Sequence, residues 1–72
     1  MKLFITWKLT DHHYTMTCNI DNYETEENTK KSLIIWIYEN KEKIIDWSFK
    51  DMSNCQYGHR HRFEMLIKKM LV

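Results

Sequence analysis

The sequence has no proline and no alanine, and its single glycine is Gly58. Backbone cradles for phosphate are built from several glycines, so a glycine-rich nucleotide-binding loop is excluded. The sequence also has no nucleophile elbow and no pair of zinc-binding histidines one helical turn apart with a glutamate between them. A chain of 72 residues leaves little room for a pocket that excludes water. These absences predict a protein that is not an enzyme and that holds no cofactor.

Cysteine, charge and long apolar runs are also scarce. Cys18 and Cys55 are too few for the disulfide framework of a small secreted scaffold. Eleven lysines and arginines stand against ten acidic residues, which excludes an acidic DNA mimic and a strongly basic nucleic-acid binder. The longest apolar run, LIIWIY at 33–38, is far shorter than the roughly 20 residues of a bilayer span. Without a signal-peptide pattern either, the sequence predicts a cytoplasmic protein with no membrane partner.

Aromatic residues are what the sequence has in plenty, with three tryptophans, three phenylalanines and four tyrosines. Each buried aromatic ring removes on the order of 150–250 Å² from water. A small domain buries only about 60% of the surface of its unfolded chain, so large core residues matter to its stability. We therefore expect residues 1–72 to fold as one domain without a disulfide or a metal ion.

Three strands are predicted from strict alternation of apolar and polar residues. DHH, at 11–13, is a short polar connection between the first two and indicates a hairpin. Phe4 is the apolar exception on the polar face of the first strand. The predicted core positions are Met1, Leu3, Ile5, Trp7 and Leu9 in the first strand, Tyr14, Met16, Cys18 and Ile20 in the second, and Ile45, Trp47 and Phe49 in the third.

One helix is predicted before the third strand in the sequence, and another is predicted after it. Thr25 is the expected N-cap of the first helix, which runs to about Glu39. This helix would place one group of residues on the same side, with Ile34 and Tyr38 adjoining: Leu33, Trp36, Ile37 and Asn40. The alternative for this segment is a second hairpin turning at 40–41, because isoleucine and aromatic residues favour strands. The second helix closes the chain, with apolar residues at helical spacing: Phe63, Leu66, Ile67, Met70 and Leu71.

The predicted fold is therefore α+β, in the order β-β-α-β-α. A three-stranded, mainly antiparallel sheet needs a cover over its apolar face, and the two helices supply it in a two-layer sandwich.

The stretch QYGHRHRF, at 56–63, is the candidate functional site. Its histidines and arginines precede the core residue Phe63 and are expected to point outward at the start of the last helix, although cations are unfavourable at a helix N-terminus. A partner surface of negative charge would explain their presence. The predicted partner-binding residues are Tyr57, His59, Arg60, His61, Arg62, Lys68 and Lys69.

Other interpretations of this stretch remain open. Cys55, His59 and His61 could form part of a zinc site, with His12, His13 and Cys18 approaching from the hairpin, although the spacing is unusual for zinc. The arginines and the lysines of the last helix could instead contact phosphates, as in a small DNA- or RNA-binding regulator. A solvated turn without a ligand is the simplest alternative.

The whole-chain pattern resembles the small phage-encoded antagonists of bacterial defence, the anti-CRISPR proteins and phage antitoxins. The likeness lies in MKLFITWKL, a hairpin, a helix ending in SLIIWIYEN, and the strand KEKIIDWSFKD, in a composition typical of an AT-rich gene. No residue motif is shared, so no functional residue carries over. The resemblance implies an inhibitor that covers the nucleic-acid or effector surface of a host protein or ribonucleoprotein complex. The oligomeric state stays open.

Overall fold

Six elements make up the fold in a computed structural model that describes residues 2–50 and 58–72. A three-residue 3₁₀ turn joins the first helix to the third strand. The elements are β1 (Lys2–Leu9), β2 (His13–Asn19), α1 (Tyr23–Asn40), the 3₁₀ turn (Lys41–Lys43), β3 (Ile44–Lys50) and α2 (His59–Met70). The strands form one antiparallel sheet in the order β2-β1-β3, so the predicted α+β class and element order are confirmed.

The β1–β2 hairpin turns in two residues. The backbone N–H of Leu9 donates to the carbonyl of His12 over 2.9 Å, which makes these residues a hydrogen-bonded pair. Hydrogen-bonded and non-hydrogen-bonded pairs alternate along an antiparallel ladder. Odd-numbered residues of β1 therefore bond to β2 and even-numbered ones to β3, as the bond from Thr10 N–H to the Lys43 carbonyl also indicates. Each β1 residue therefore forms ladder hydrogen bonds with only one of its two neighbouring strands.

The hydrophobic core lies on one face of the sheet, beneath both helices. The buried apolar residues come from β1, from the end of β2 with the residue after it, and from both helices, which contribute two each. None of them is more than 5% exposed. They include every predicted β1 position except Met1, which lies outside the described residues. They are Leu3, Ile5, Trp7, Leu9, Cys18, Ile20, Leu33, Ile37, Phe63 and Ile67.

A β-bulge corrects the prediction for β3. The ladder pairs Lys8 with Asp46 but Leu9 with Ile44, so one extra residue is inserted in β3. Ile45 is 58% exposed as a result, while Ile44 packs against the core in its place. The prediction of Ile45 as a core residue was therefore wrong, because simple alternation does not anticipate the change of face that a bulge introduces.

The segment of α1 is a helix rather than a hairpin, which resolves the alternative left open by the sequence. Its N-cap is Asn22, not Thr25. The Asn22 side chain accepts from Thr25 N–H at 2.9 Å, and the Thr25 hydroxyl oxygen accepts from Asn22 N–H at 2.9 Å. This reciprocal arrangement is a capping box, in which Thr25 is the third helical residue.

Within the described residues, no helix has the length and apolar character needed to cross a membrane.

Candidate functional site: a buried carboxylate and an exposed helix face

Helix α2 begins directly after Gly58, which adopts φ 76°, a left-handed conformation that glycine accepts without strain. The expectation that the next four side chains all point outward is wrong for His59 and Arg62. Both turn toward α1, where Glu26 is only 3% exposed. Two of these four side chains therefore make an internal contact.

The three side chains form what we call the Glu26 cluster: Glu26, His59 and Arg62. Nδ1 of His59 lies 2.7 Å from Oε1 of Glu26, and Nη2 and Nε of Arg62 donate to the same oxygen over 2.8 and 3.1 Å. Nη2 of Arg62 also lies 2.8 Å from Nδ1 of His59. Because the carboxylate can only accept, a hydrogen on Nδ1 suits the contact with Glu26. The guanidinium can only donate, so the approach of Nη2 to Nδ1 is then not a hydrogen bond. The cluster joins the first turns of α1 and α2.

Electrostatics favour the charged form of Glu26 despite its burial. Desolvation is the largest single influence and would raise the pKa of Glu26. The hydrogen bonds from His59 and Arg62, with the charges of Arg62 and Lys30, outweigh it and hold the pKa below its ordinary value of 4.5. The carboxylate also offsets the cost of placing cations at the N-terminus of α2. An internal anion thus fills the role that the sequence assigned to a partner.

The remaining predicted residues are distributed over α2. The Arg60 guanidinium lies over the Phe49 ring at 5.6 Å, a cation–π contact to β3. Lys68 pairs with Glu64 one helical turn away, at 2.9 Å. His61 and Lys69 are exposed. Tyr57 lies outside the described residues. The structure therefore brings His59 and Arg62 together and leaves Arg60, His61, Lys68 and Lys69 spread along the helix surface.

The zinc interpretation gains no support from the described side chains. Within 2–50 and 58–72, no three histidine, cysteine, aspartate or glutamate side chains are grouped to hold a metal ion. Cys55, which that hypothesis needs, lies outside this part of the chain. Burial raises the pKa of the Cys18 thiol to about 11, so that side chain is an uncharged core residue.

A second feature, which the sequence interpretation missed, is the α1 outer face: Tyr23, Ile34, Ile35 and Tyr38. Their exposed fractions are 77%, 38%, 59% and 80%. The last three lie within about one helical turn. Tyr23 lies eleven residues before Ile34, which is about three turns, so it is on the same side of the helix. Ile34 and Tyr38 were expected to adjoin the core. The signal was present, because a helix that buries Leu33 and Ile37 must turn its neighbours at 34, 35 and 38 away.

The chain matches no protein-family model, and comparisons with curated proteins and with solved structures also give no match.

Proposed function

We propose that this chain is a small, non-enzymatic binding protein of a phage or mobile element that inhibits a cytoplasmic host defence protein by covering part of its surface. The α1 outer face is the observation that carries the proposal. Ile34, Ile35 and Tyr38 are exposed within about one turn of this face, and such a group of apolar and tyrosine side chains is typical of the buried centre of a protein interface. A helix that lays such a face into a groove is a recurring mode of recognition.

Charged residues around the α1 outer face would supply the rim of the interface. Lys31, Glu39 and Lys41 are exposed beside it and carry both signs of charge. Rim charges steer encounter and reject wrong partners more than they add affinity. Inhibition then follows from steric blockade, since a bound helix face excludes the partner's own ligand from the same surface. No chemical step by this chain is required.

A capture experiment tests this proposal. The tagged chain is used to recover proteins from a bacterial host lysate, in parallel with the variants Ile35→Asp and Tyr38→Asp. We expect one stoichiometric partner with the native chain and a loss of affinity of about thirtyfold in each variant, which corresponds to a hot spot of about 2 kcal/mol. Both side chains are exposed, so stability should change by no more than about 0.5 kcal/mol.

Ser48→Asp is the matched control, because it adds the same charge on the exposed side of the sheet away from both helices. It should capture the partner as the native chain does. Equal capture by all variants, or no stoichiometric partner at all, would contradict the proposal.

Nucleic acid is the second candidate partner, favoured by the exposed basic side chains that remain on α2. Arg60, His61 and Lys69 lie on the helix surface. Lys68 pairs with Glu64, but its side chain is 61% exposed. Phosphate contacts of this kind weaken steeply with added salt. Capture that disappears on nuclease treatment, and that depends on Arg60 and Lys69 rather than on Tyr38, would favour a DNA- or RNA-binding regulator over an inhibitor.

A further inference from the structure

The sheet has two edge strands, and the β3 edge is blocked. Its backbone is displaced by the bulge at Ile45, and the outward N–H of Trp47 already donates to the Asp46 carboxylate at 2.8 Å. Asp46 and Lys50 add charge along the same strand. Bulges and charged side chains are the usual means by which proteins prevent another strand from pairing with an edge.

The β2 edge has none of these protections. From Tyr14 to Asn19 it carries no lysine, arginine, aspartate or glutamate, and its ladder with β1 is regular throughout. By the alternation that starts at the Leu9–His12 pair, Met16 and Cys18 bond to β1, and Thr15 and Thr17 direct their N–H and C=O groups away from the sheet. No strand in the described part of the chain faces that side.

A groove of about 400 Å³ runs between this edge and the flank of α1, and we call it the β2 groove. Its floor is apolar, with Met16, Leu33 and Trp36, and its wall on α1 is formed by uncharged polar side chains. At one end the hydroxyl of Thr29 donates to the Asn19 carbonyl at 3.1 Å. At the other end the Tyr14 ring stacks on Trp36, with ring centres 5.6 Å apart.

These limits define what can occupy the β2 groove. Between Tyr14 and Asn19 a strand advances about 17 Å, the length of about five residues. Thr15 and Thr17 together offer two donors and two acceptors, which an antiparallel strand satisfies with two hydrogen-bonded pairs. The residue of that strand opposite Met16 would share its face and rest on the apolar floor. Since no residue lining the groove is charged, a charged side chain would lose water there without gaining an ion pair, which favours an uncharged segment.

A second copy of this chain fits the groove poorly. Antiparallel pairing of two β2 strands about Met16 would place Met16 of each copy opposite the other. That side chain already packs against its own core, so it cannot also fill the recess of its partner. A strand whose alternate side chains are free to enter the recess is required instead.

We propose that the β2 groove binds an extended, uncharged segment of the partner protein, which adds to the sheet as a fourth strand antiparallel to β2. The inference rests on the proposed protein-binding function and names the chemistry of one element of the partner. The segment has apolar, β-branched residues at every second position, facing the groove. It is held by backbone bonds to Thr15 and Thr17.

A synthetic peptide tests this inference with the purified chain alone. The probe is acetyl-Thr-Val-Thr-Val-Thr-Val-Thr-amide, N-methylated at each valine, so that only the edge carrying the threonine N–H groups can pair. We expect amide hydrogen exchange at Thr15 and Thr17 to slow on the order of tenfold when the peptide is present at ten times its Kd. The isomer methylated at each threonine is the matched control and should have no effect.

Two variants separate edge pairing from other binding. Thr17→Pro removes the outward N–H, and proline is tolerated on an edge strand where that group faces solvent, so the variant should fold and lose the peptide. Thr17→Val keeps the backbone donor and should bind. Equal effects of both isomers, no response at millimolar peptide, or slowed exchange that tracks protein concentration without peptide would each overturn the inference. None of these outcomes bears on capture through the α1 outer face.

Discussion

Replacing Trp7 with alanine is expected to lower the free energy of unfolding by about 3–5 kcal/mol, the range found when large aromatic core residues are truncated. Trp7 is fully buried in β1, with its ring centre 4.7 Å from that of Trp36 and 6.3 Å from that of Trp47. The change therefore removes the ring contacts of the central strand with Trp36 of α1 and Trp47 of β3. Domains of this kind have only about 5–15 kcal/mol of stability, so the loss is a large share of it. Urea denaturation followed by tryptophan fluorescence measures it.

Trp7→Phe is the informative control for that experiment. Nε1 of Trp7 is buried without a hydrogen-bond partner in the described part of the chain, and an unsatisfied buried donor costs about 1–3 kcal/mol. Phenylalanine removes this donor and keeps most of the ring contacts, so we expect a loss of only about 1–2 kcal/mol. If Trp7→Phe were as damaging as Trp7→Ala, Nε1 would have a partner that stabilises the fold.

Glu26→Gln is expected to cost about 2–3 kcal/mol at pH 7, because it removes the anion from between His59 and Arg62. The estimate lies below the roughly 3–5 kcal/mol for breaking a buried ion pair, since the Arg62 side chain is 42% exposed and can turn to water. Glu27→Gln is the matched control in the next position of α1. Glu27 pairs with Lys30 in a partly exposed contact, so its loss should cost about 0.5 kcal/mol or less.

The cost of Glu26→Gln should also depend on pH in a defined direction. The pKa of Glu26 in the folded chain lies below its ordinary value of 4.5. The stabilisation is therefore complete above that ordinary value and is lost as the pH falls through the lower, folded value. The difference in unfolding free energy between native chain and variant should shrink on acidification below about pH 4.5. A difference that stays constant down to pH 3 would show that the carboxylate charge is not what stabilises the contact.

The spacing of apolar residues and the presence of capping residues were enough to predict the element order, because β1 alternates cleanly and α2 carries its apolar residues at helical spacing. The bulge at Ile45 could not be predicted in this way, since it depends on how β3 meets β1 and not on the residues of β3 alone. The N-cap was displaced by three residues because Asn22 and Thr25 are both good caps, and only their reciprocal hydrogen bonds distinguish them.

The candidate site was harder to predict for a different reason. His59 and Arg62 look like surface residues in sequence, and only the packing of α1 against α2 places Glu26 between them, 33 and 36 residues away. The sequence analysis offered a negatively charged partner surface as the reason for cations at a helix N-terminus, whereas the anion that contacts His59 and Arg62 is Glu26 of the same chain. Long-range pairing of this kind leaves no local pattern. The α1 outer face, by contrast, follows from the helix itself once its buried side is known.

The Glu26 cluster and the two proposed binding surfaces lie in different parts of the molecule. The Glu26 cluster holds the two helices together at their first turns, while the α1 outer face and the β2 groove lie at separate surfaces of the same helix. A partner that engaged both would wrap around α1 from its exposed face to the sheet edge. Such two-point binding would raise affinity without requiring a large domain, because the second contact forms within the complex.

The most direct test of the proposed function is a titration of the captured partner's activity with this chain. Steric blockade predicts that activity falls linearly and is lost at a one-to-one ratio, with the partner recovered chemically unchanged after separation. When the titration is repeated with the partner well below the Kd of either complex, Ile35→Asp should raise the concentration for half inhibition about thirtyfold, in line with its expected loss of affinity. Full activity of the partner in a saturated one-to-one complex, or lasting inactivation by a small fraction of one equivalent, would contradict the account.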